Sequence, residues 1–64
     1  MLIKTFKIYN RLSDKTTEYN CQVISRKELI NKQYKEDVHY RCTQNGYDIY
    51  VSNRCWKYYA VKER

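Results

Sequence analysis

The residues of this sequence best suited to chemistry are tyrosines that stand among lysines and arginines. Tyr9 lies between Lys7 and Arg11 at a spacing of two, and Tyr59 follows Lys57 at the same spacing. A tyrosine ring offers a flat apolar face for stacking and a hydroxyl for hydrogen bonding. Lys and Arg supply the positive charge that binds phosphates. Together on one surface, these groups suit the binding of single-stranded nucleic acid.

The candidate binding residues share one property, which is that strand alternation points them away from the apolar side chains. They are Lys7, Tyr9, Arg11, His39, Arg41, Tyr50, Lys57 and Tyr59. Tyr and Arg are also enriched at protein-binding hot spots. Cross-strand pairs of Tyr with Arg or Lys stabilise an exposed sheet without any ligand. The sequence therefore leaves three interpretations open: a nucleic-acid surface, a protein-binding surface, and a sheet face with no partner.

Catalytic and metal chemistry have weaker support. His39 is the single histidine, and a small RNase toxin that uses His39, Arg41 and Tyr50 on a phosphodiester is one alternative. The three cysteines are widely spaced and contain no C-x-x-C pair, which argues against a disulfide framework and against zinc. The single glycine, Gly46, belongs to a turn, so no glycine-rich phosphate loop exists. We expect a protein that is not an enzyme and that binds no cofactor or metal.

The net charge of +6 and a pI near 9.3 favour an anionic partner, either nucleic acid or an acidic host protein. No apolar run approaches the roughly 18 residues of a membrane span, and no apolar leader is visible. The odd cysteine count fits the reducing cytoplasm. We therefore expect a cytoplasmic protein without a membrane partner. The abundance of Lys, Asn, Ile and Tyr is typical of AT-rich coding, as in phages and mobile elements of low-GC bacteria.

Two strands and a helix are predicted in the first half of the chain. Alternation predicts strands from Leu2 to Arg11 and from Thr17 to Ile24, joined as a hairpin by polar turn residues. Ser25 followed by Glu28 is a capping box that begins a helix ending near Lys35.

Three further strands are predicted in the second half, at residues 38–43, 47–51 and 55–62. Asn45 and Gly46 form a typical hairpin turn between the first two. The turn positions predict that Cys42 faces Ile49 and that Tyr40 faces Val51. In the last hairpin they predict pairs of Val51 with Trp56 and of Ile49 with Tyr58. This register also places Tyr50 opposite both Arg41 and Lys57.

The expected fold is one small α+β domain over residues 1–64, an antiparallel sheet in the order β-β-α-β-β-β with one helix packed on one face. The apolar face under the helix forms the predicted core, which comprises Phe6, Ile8, Tyr19, Cys21, Val23, Leu29, Ile30, Tyr34, Val38, Tyr40, Cys42, Tyr47, Ile49, Val51, Trp56, Tyr58 and Ala60. The opposite face is left for a partner. The leading hypothesis is a basic protein that contacts nucleic acid through this face. The alternative is an inhibitor or adaptor of a host nucleic-acid-handling or defence enzyme, and the exposed edge strands also suit a homodimer.

Overall fold

The computed structural model describes residues 2–63 and contains five strands and one helix in the predicted chain order. The elements are β1 (Ile3–Asn10), β2 (Lys15–Ile24), α1 (Arg26–Glu36), β3 (Val38–Gln44), β4 (Tyr47–Ser52) and β5 (Tyr58–Lys62). The predicted α+β class is confirmed.

The sheet is mixed, and its spatial order is β1-β2-β5-β4-β3. β1–β2, β3–β4 and β4–β5 are antiparallel pairs, but β2 and β5 run parallel over Gln22–Ile24 and Tyr59–Val61. The predicted antiparallel pairing is therefore confirmed for three of the four strand pairs and wrong for β2 and β5, so the sheet is mixed. Because α1 carries the chain back to the end of the sheet where β2 began, β3 runs parallel to β2. Two further reversals then bring β5 beside β2 in that same direction.

The sheet curls until its two outer strands meet. The Arg41 guanidinium donates to the Tyr9 carbonyl at 3.3 Å, and the Gln44 side-chain amide donates to the Lys7 carbonyl. The concave face holds the main core of Phe6, Ile8, Cys21, Ile49 and Ala60, each no more than 3% exposed. The predicted sharing of one face by these five residues is confirmed.

The helix packs on the convex face, where Leu29 meets Ile24, Val38, Tyr59 and Val61 in a second small core. The expectation that the helix covers the Phe6 and Ile8 face is wrong, because the curl of the sheet already closes that face. Two side chains assigned to the core on the helix, Ile30 and Tyr34, are accordingly 52% and 87% exposed.

Both ends of α1 are fixed by hydroxyl groups. The Ser25 oxygen accepts from the Glu28 N–H at 3.1 Å, which confirms the predicted cap. At the other end the fully buried Ser52 donates to the Glu36 carbonyl at 3.0 Å and accepts from the Cys55 N–H at 3.3 Å. This hydroxyl therefore ties the end of the helix to the β4–β5 turn.

In the β3–β4 hairpin, the predicted pairing of Cys42 with Ile49 is confirmed, and the predicted pairing of Tyr40 with Val51 is not. An irregularity between Tyr40 and Cys42 shifts the pairing by one residue, so Tyr40 faces Tyr50 and is 58% exposed.

The predicted register of the last hairpin is wrong. Val51 faces Tyr58 and Ile49 faces Ala60, because the chain turns through residues 53–57 before β5 begins. Trp56 therefore lies in a turn and is 78% exposed, outside the core to which the sequence assigned it.

Candidate nucleic-acid interface at the β1–β3 seam

The closure between β1 and β3 brings Arg41 beside β1, which carries Lys7 and Tyr9 and is followed directly by Arg11, so that four of the eight predicted binding residues lie in this region. We call this region the β1–β3 seam and define it by Lys7, Tyr9, Arg11, Arg41 and Gln44. Lys7 and Tyr9 lie on β1, Arg11 begins the β1–β2 turn, and Arg41 and Gln44 lie on β3. The seam is thus built from residues more than thirty positions apart in the chain.

Strand geometry explains which backbone groups the seam uses. Val23 donates its N–H to the Leu2 carbonyl at 2.9 Å, and peptide groups in a strand alternate in direction. In the regular β1–β2 register, this alternation turns the Lys7 and Tyr9 carbonyls away from β2. Gln44 and Arg41 cap these two outward carbonyls, so side chains replace the missing strand pairing at this edge.

The cations of the seam form no ion pair among residues 2–63. The salt bridges there join Arg26 with Asp48 and Lys32 with Glu36, and His39 contacts Asp37. Lys7 lies opposite Glu18 in the β1–β2 register, whereas Arg11 and Arg41 have no such acidic neighbour in their strand pairing. The positive charge of Arg11 and Arg41 is therefore available to an external anion.

Tyr9 is held in place beside these cations. Its ring is 52% exposed, and its hydroxyl donates to the Asp14 carboxylate across the hairpin turn. This hydrogen bond, with a smaller effect from burial, raises the pKa of the Tyr9 hydroxyl. The ring is consequently fixed and half open to solvent, which suits stacking against a planar group.

Tyr59, in contrast, is not available for binding. It is 0% exposed beneath α1, its hydroxyl donates to the Glu36 carboxylate at 2.7 Å, and the Lys32 ammonium lies 5.2 Å from the ring centre. Burial and the Glu36 hydrogen bond raise the pKa of Tyr59, and the Tyr59 hydroxyl is the main group that lowers the pKa of Glu36. The prediction that Tyr59 lies on an open face is wrong because the helix covers that part of the sheet.

The remaining predicted residues lie apart from the seam. Tyr50 is half-buried, faces Tyr40 and Tyr59 instead of Arg41 and Lys57, and meets the Tyr40 ring edge-on at 5.7 Å. Lys57 is exposed at the end of the β4–β5 turn.

His39 pairs with Asp37 at 3.0 Å, on the sheet face opposite Tyr50. Arg41 reaches across to β1. The structure therefore does not assemble His39, Arg41 and Tyr50 into one site for proton transfer.

Sequence reasoning missed an apolar groove of about 330 Å³. It is lined by Ile3, Tyr19, Asn20, Gln22, Trp56, Lys57 and Tyr58. Trp56 has a φ of 53°, a left-handed conformation that is rare for a bulky residue. Alternation across Cys55, Trp56 and Lys57 had instead indicated a strand, and nothing in these residues signals the turn.

The three cysteines occupy different environments. Cys21 is fully buried, and burial raises the pKa of its thiol to about 11. Cys42 is half-buried and Cys55 is exposed. Within residues 2–63 the histidine, cysteines and carboxylates form no group of three that is placed to hold a metal ion.

No protein-family model, curated protein or solved structure matches this chain. The only helix of the described residues, α1, is too short and too polar to cross a membrane.

Proposed function

We propose that this protein binds single-stranded nucleic acid at the β1–β3 seam and is not an enzyme. The proposal is carried by one observation: Lys7 and Arg11 flank the half-exposed Tyr9 along the chain, Arg41 donates to the Tyr9 carbonyl, and none of these three cations forms an ion pair within residues 2–63. Single-stranded nucleic acid presents phosphates for the cations and unpaired bases for the ring.

Single strands fit this site better than duplexes do. A base can stack on Tyr9 only when its flat face is free, and in a duplex both faces are already stacked on neighbouring bases. The seam offers no protruding helix for a major groove, since α1 lies across the convex face of the sheet. Binding is therefore expected to depend little on sequence and strongly on salt.

The stacking role of Tyr9 can be separated from its hydrogen bond. Tyr9→Ala removes the ring and is expected to weaken oligonucleotide binding about tenfold, the lower part of the range for one stacked base. Tyr9→Phe keeps the ring, loses only the contact with Asp14, and is expected to bind nearly as well as the wild type. Tyr34→Ala serves as a matched control, because Tyr34 is 87% exposed on the helix.

The measurement is fluorescence anisotropy of a labelled single-stranded oligonucleotide at low salt. Equal affinities for Tyr9→Ala and Tyr34→Ala would remove Tyr9 from the site. An absence of binding to single-stranded DNA and RNA would reject the proposal. Retention of an acidic protein from a nuclease-treated bacterial lysate would then favour the alternative, an inhibitor or adaptor of a host enzyme.

A further inference from the structure

The first part of β2, from Lys15 to Asn20, has an unpaired edge that the curl of the sheet does not close. β2 pairs with β1 from Lys15 to Gln22, but with β5 only over Gln22–Ile24. The outer edges of β1 and β3 are bridged to each other by Arg41 and Gln44. Among the described residues, the segment from Lys15 to Asn20 has no strand pairing on this edge, although Tyr19 and Asn20 at its upper end lie beside Tyr58 and the β4–β5 turn. An open strand edge of this kind is a template for pairing with another chain.

We infer that this edge pairs with the same segment of a second copy, which forms an antiparallel, two-fold symmetric dimer. The direction of the backbone groups supports the pairing. Because Val23 bonds toward β1 and peptide groups alternate, the N–H and C=O groups of Thr16 and Glu18 face outward. These groups are the ones that an added antiparallel strand would use.

Charge disfavours two of the central registers for this pairing. A two-fold axis perpendicular to the sheet must pass between a residue and its own copy. With the axis at Glu18, two carboxylates would face each other. With the axis at Thr16, Asp14 would face Glu18 of the second copy. Both arrangements oppose like charges, which is destabilising.

The axis at Thr17 avoids both conflicts. Thr17 then faces Thr17 of the second copy, and Thr16 faces Glu18 of the second copy. Lys15 lies opposite Tyr19 of the second copy, where an ammonium group can contact the ring face. The ring of Tyr58, on the neighbouring strand β5, already stacks on the Tyr19 ring with 4.2 Å between the ring centres.

Two adjacent substitutions of the same chemical kind test the register. Thr16 and Thr17 are both exposed, so a lysine at either site leaves the monomer core unchanged. Thr16→Lys would place the new charge opposite Glu18 of the second copy, twice per dimer. Thr17→Lys would place two lysines face to face. From the size of cross-strand charge effects, we expect the first to tighten self-association about 2- to 30-fold and the second to weaken it.

The measurement is sedimentation equilibrium of the protein without nucleic acid, with thermal unfolding to confirm that each variant folds. Opposite shifts of the dimer constant for the two variants are expected. A wild type that stays monomeric at about 1 mM would overturn the inference. Shifts in the same direction would overturn the register. Since no nucleic acid is present, either result leaves the proposed function to be judged separately.

Discussion

The hydrogen bond between Tyr59 and Glu36 anchors the helix to the sheet, and Tyr59→Phe is expected to destabilise the fold in a pH-dependent way. The substitution removes one hydroxyl from a ring that is 0% exposed and leaves its packing intact. A hydrogen bond to a charged group contributes about 1.5–3 kcal/mol. The Glu36 side chain is 18% exposed and also meets Lys32 at 3.3 Å, so water and the ammonium partly replace the lost donor. We therefore expect a loss near the lower limit, about 1.5 kcal/mol.

The pH dependence follows from the direction of the pKa shift. The Tyr59 hydroxyl is the largest influence that lowers the pKa of Glu36 in the folded protein, and Lys32 adds to it. A carboxyl group with a lowered folded pKa contributes stability that is complete above its unfolded pKa of about 4.3. That contribution is lost as the pH falls through the folded pKa. Below it, only a neutral hydrogen bond of about 0.5 kcal/mol distinguishes tyrosine from phenylalanine.

Urea unfolding of the wild type and of Tyr59→Phe at about pH 7 and about pH 2 measures both quantities. The control is Tyr50→Phe, since Tyr50 is half-buried on the same convex face and its hydroxyl forms no hydrogen bond within residues 2–63. We expect a clear loss for Tyr59→Phe at neutral pH, a smaller one in acid, and little change for the control. A loss of equal size at both pH values would refute the role of the Glu36 carboxylate.

Three further predictions concern single side chains. Ser52→Ala removes both hydrogen bonds that tie α1 to the β4–β5 turn and should lower the free energy of unfolding by about 1–3 kcal/mol in urea titrations. Unchanged stability would contradict the tie. Trp56→Gly relieves a left-handed conformation that costs about 1–2 kcal/mol and should raise the melting temperature of the monomer, whereas a lower value would contradict strain at this turn. Under native conditions a thiol reagent should modify Cys55 first and Cys21 last, as followed by mass spectrometry, because Cys21 is buried with a raised pKa; early labelling of Cys21 would contradict the core.

Local patterns predicted much of the fold. Alternation placed Phe6, Ile8, Cys21, Ile49 and Ala60 on one face, because successive side chains of a strand point to opposite faces of the sheet and this local geometry needs no tertiary information. The cap at Ser25 and the turn at Asn45 were likewise predictable, since each depends on a few adjacent residues.

The side on which the helix packs was not predictable from alternation alone. The curl of the sheet buries one face without the helix, and curl depends on all five strands together. A signal for the second core existed, because Ile24, Tyr59 and Val61 are apolar residues on the face expected to be open. Because three apolar residues on one face need cover, they indicate that the helix packs there, and Tyr59 is then a core residue and not a candidate for binding.

The seam itself depends on contacts between distant parts of the chain. The irregularity in β3 at Arg41 and the closure of β3 onto β1 bring Arg41 to Tyr9. The sequence indicated which residue types could bind a partner. It placed Tyr50 next to Arg41 and Lys57, however, through a strand register that differs from the one in the structure.

The most direct test of the proposed function is the salt dependence of oligonucleotide binding in two matched double variants. Arg11→Gln with Arg41→Gln removes two charges at the seam, and the glutamine at position 41 still offers an N–H to the Tyr9 carbonyl. Lys27→Gln with Lys35→Gln removes two charges from exposed positions on α1. For a single strand each phosphate contact contributes about 0.7 to the slope of log affinity against log salt. We predict that the seam variant lowers the slope by about 1.4 while the helix variant leaves it unchanged; equal slopes for the two variants would contradict binding at the seam.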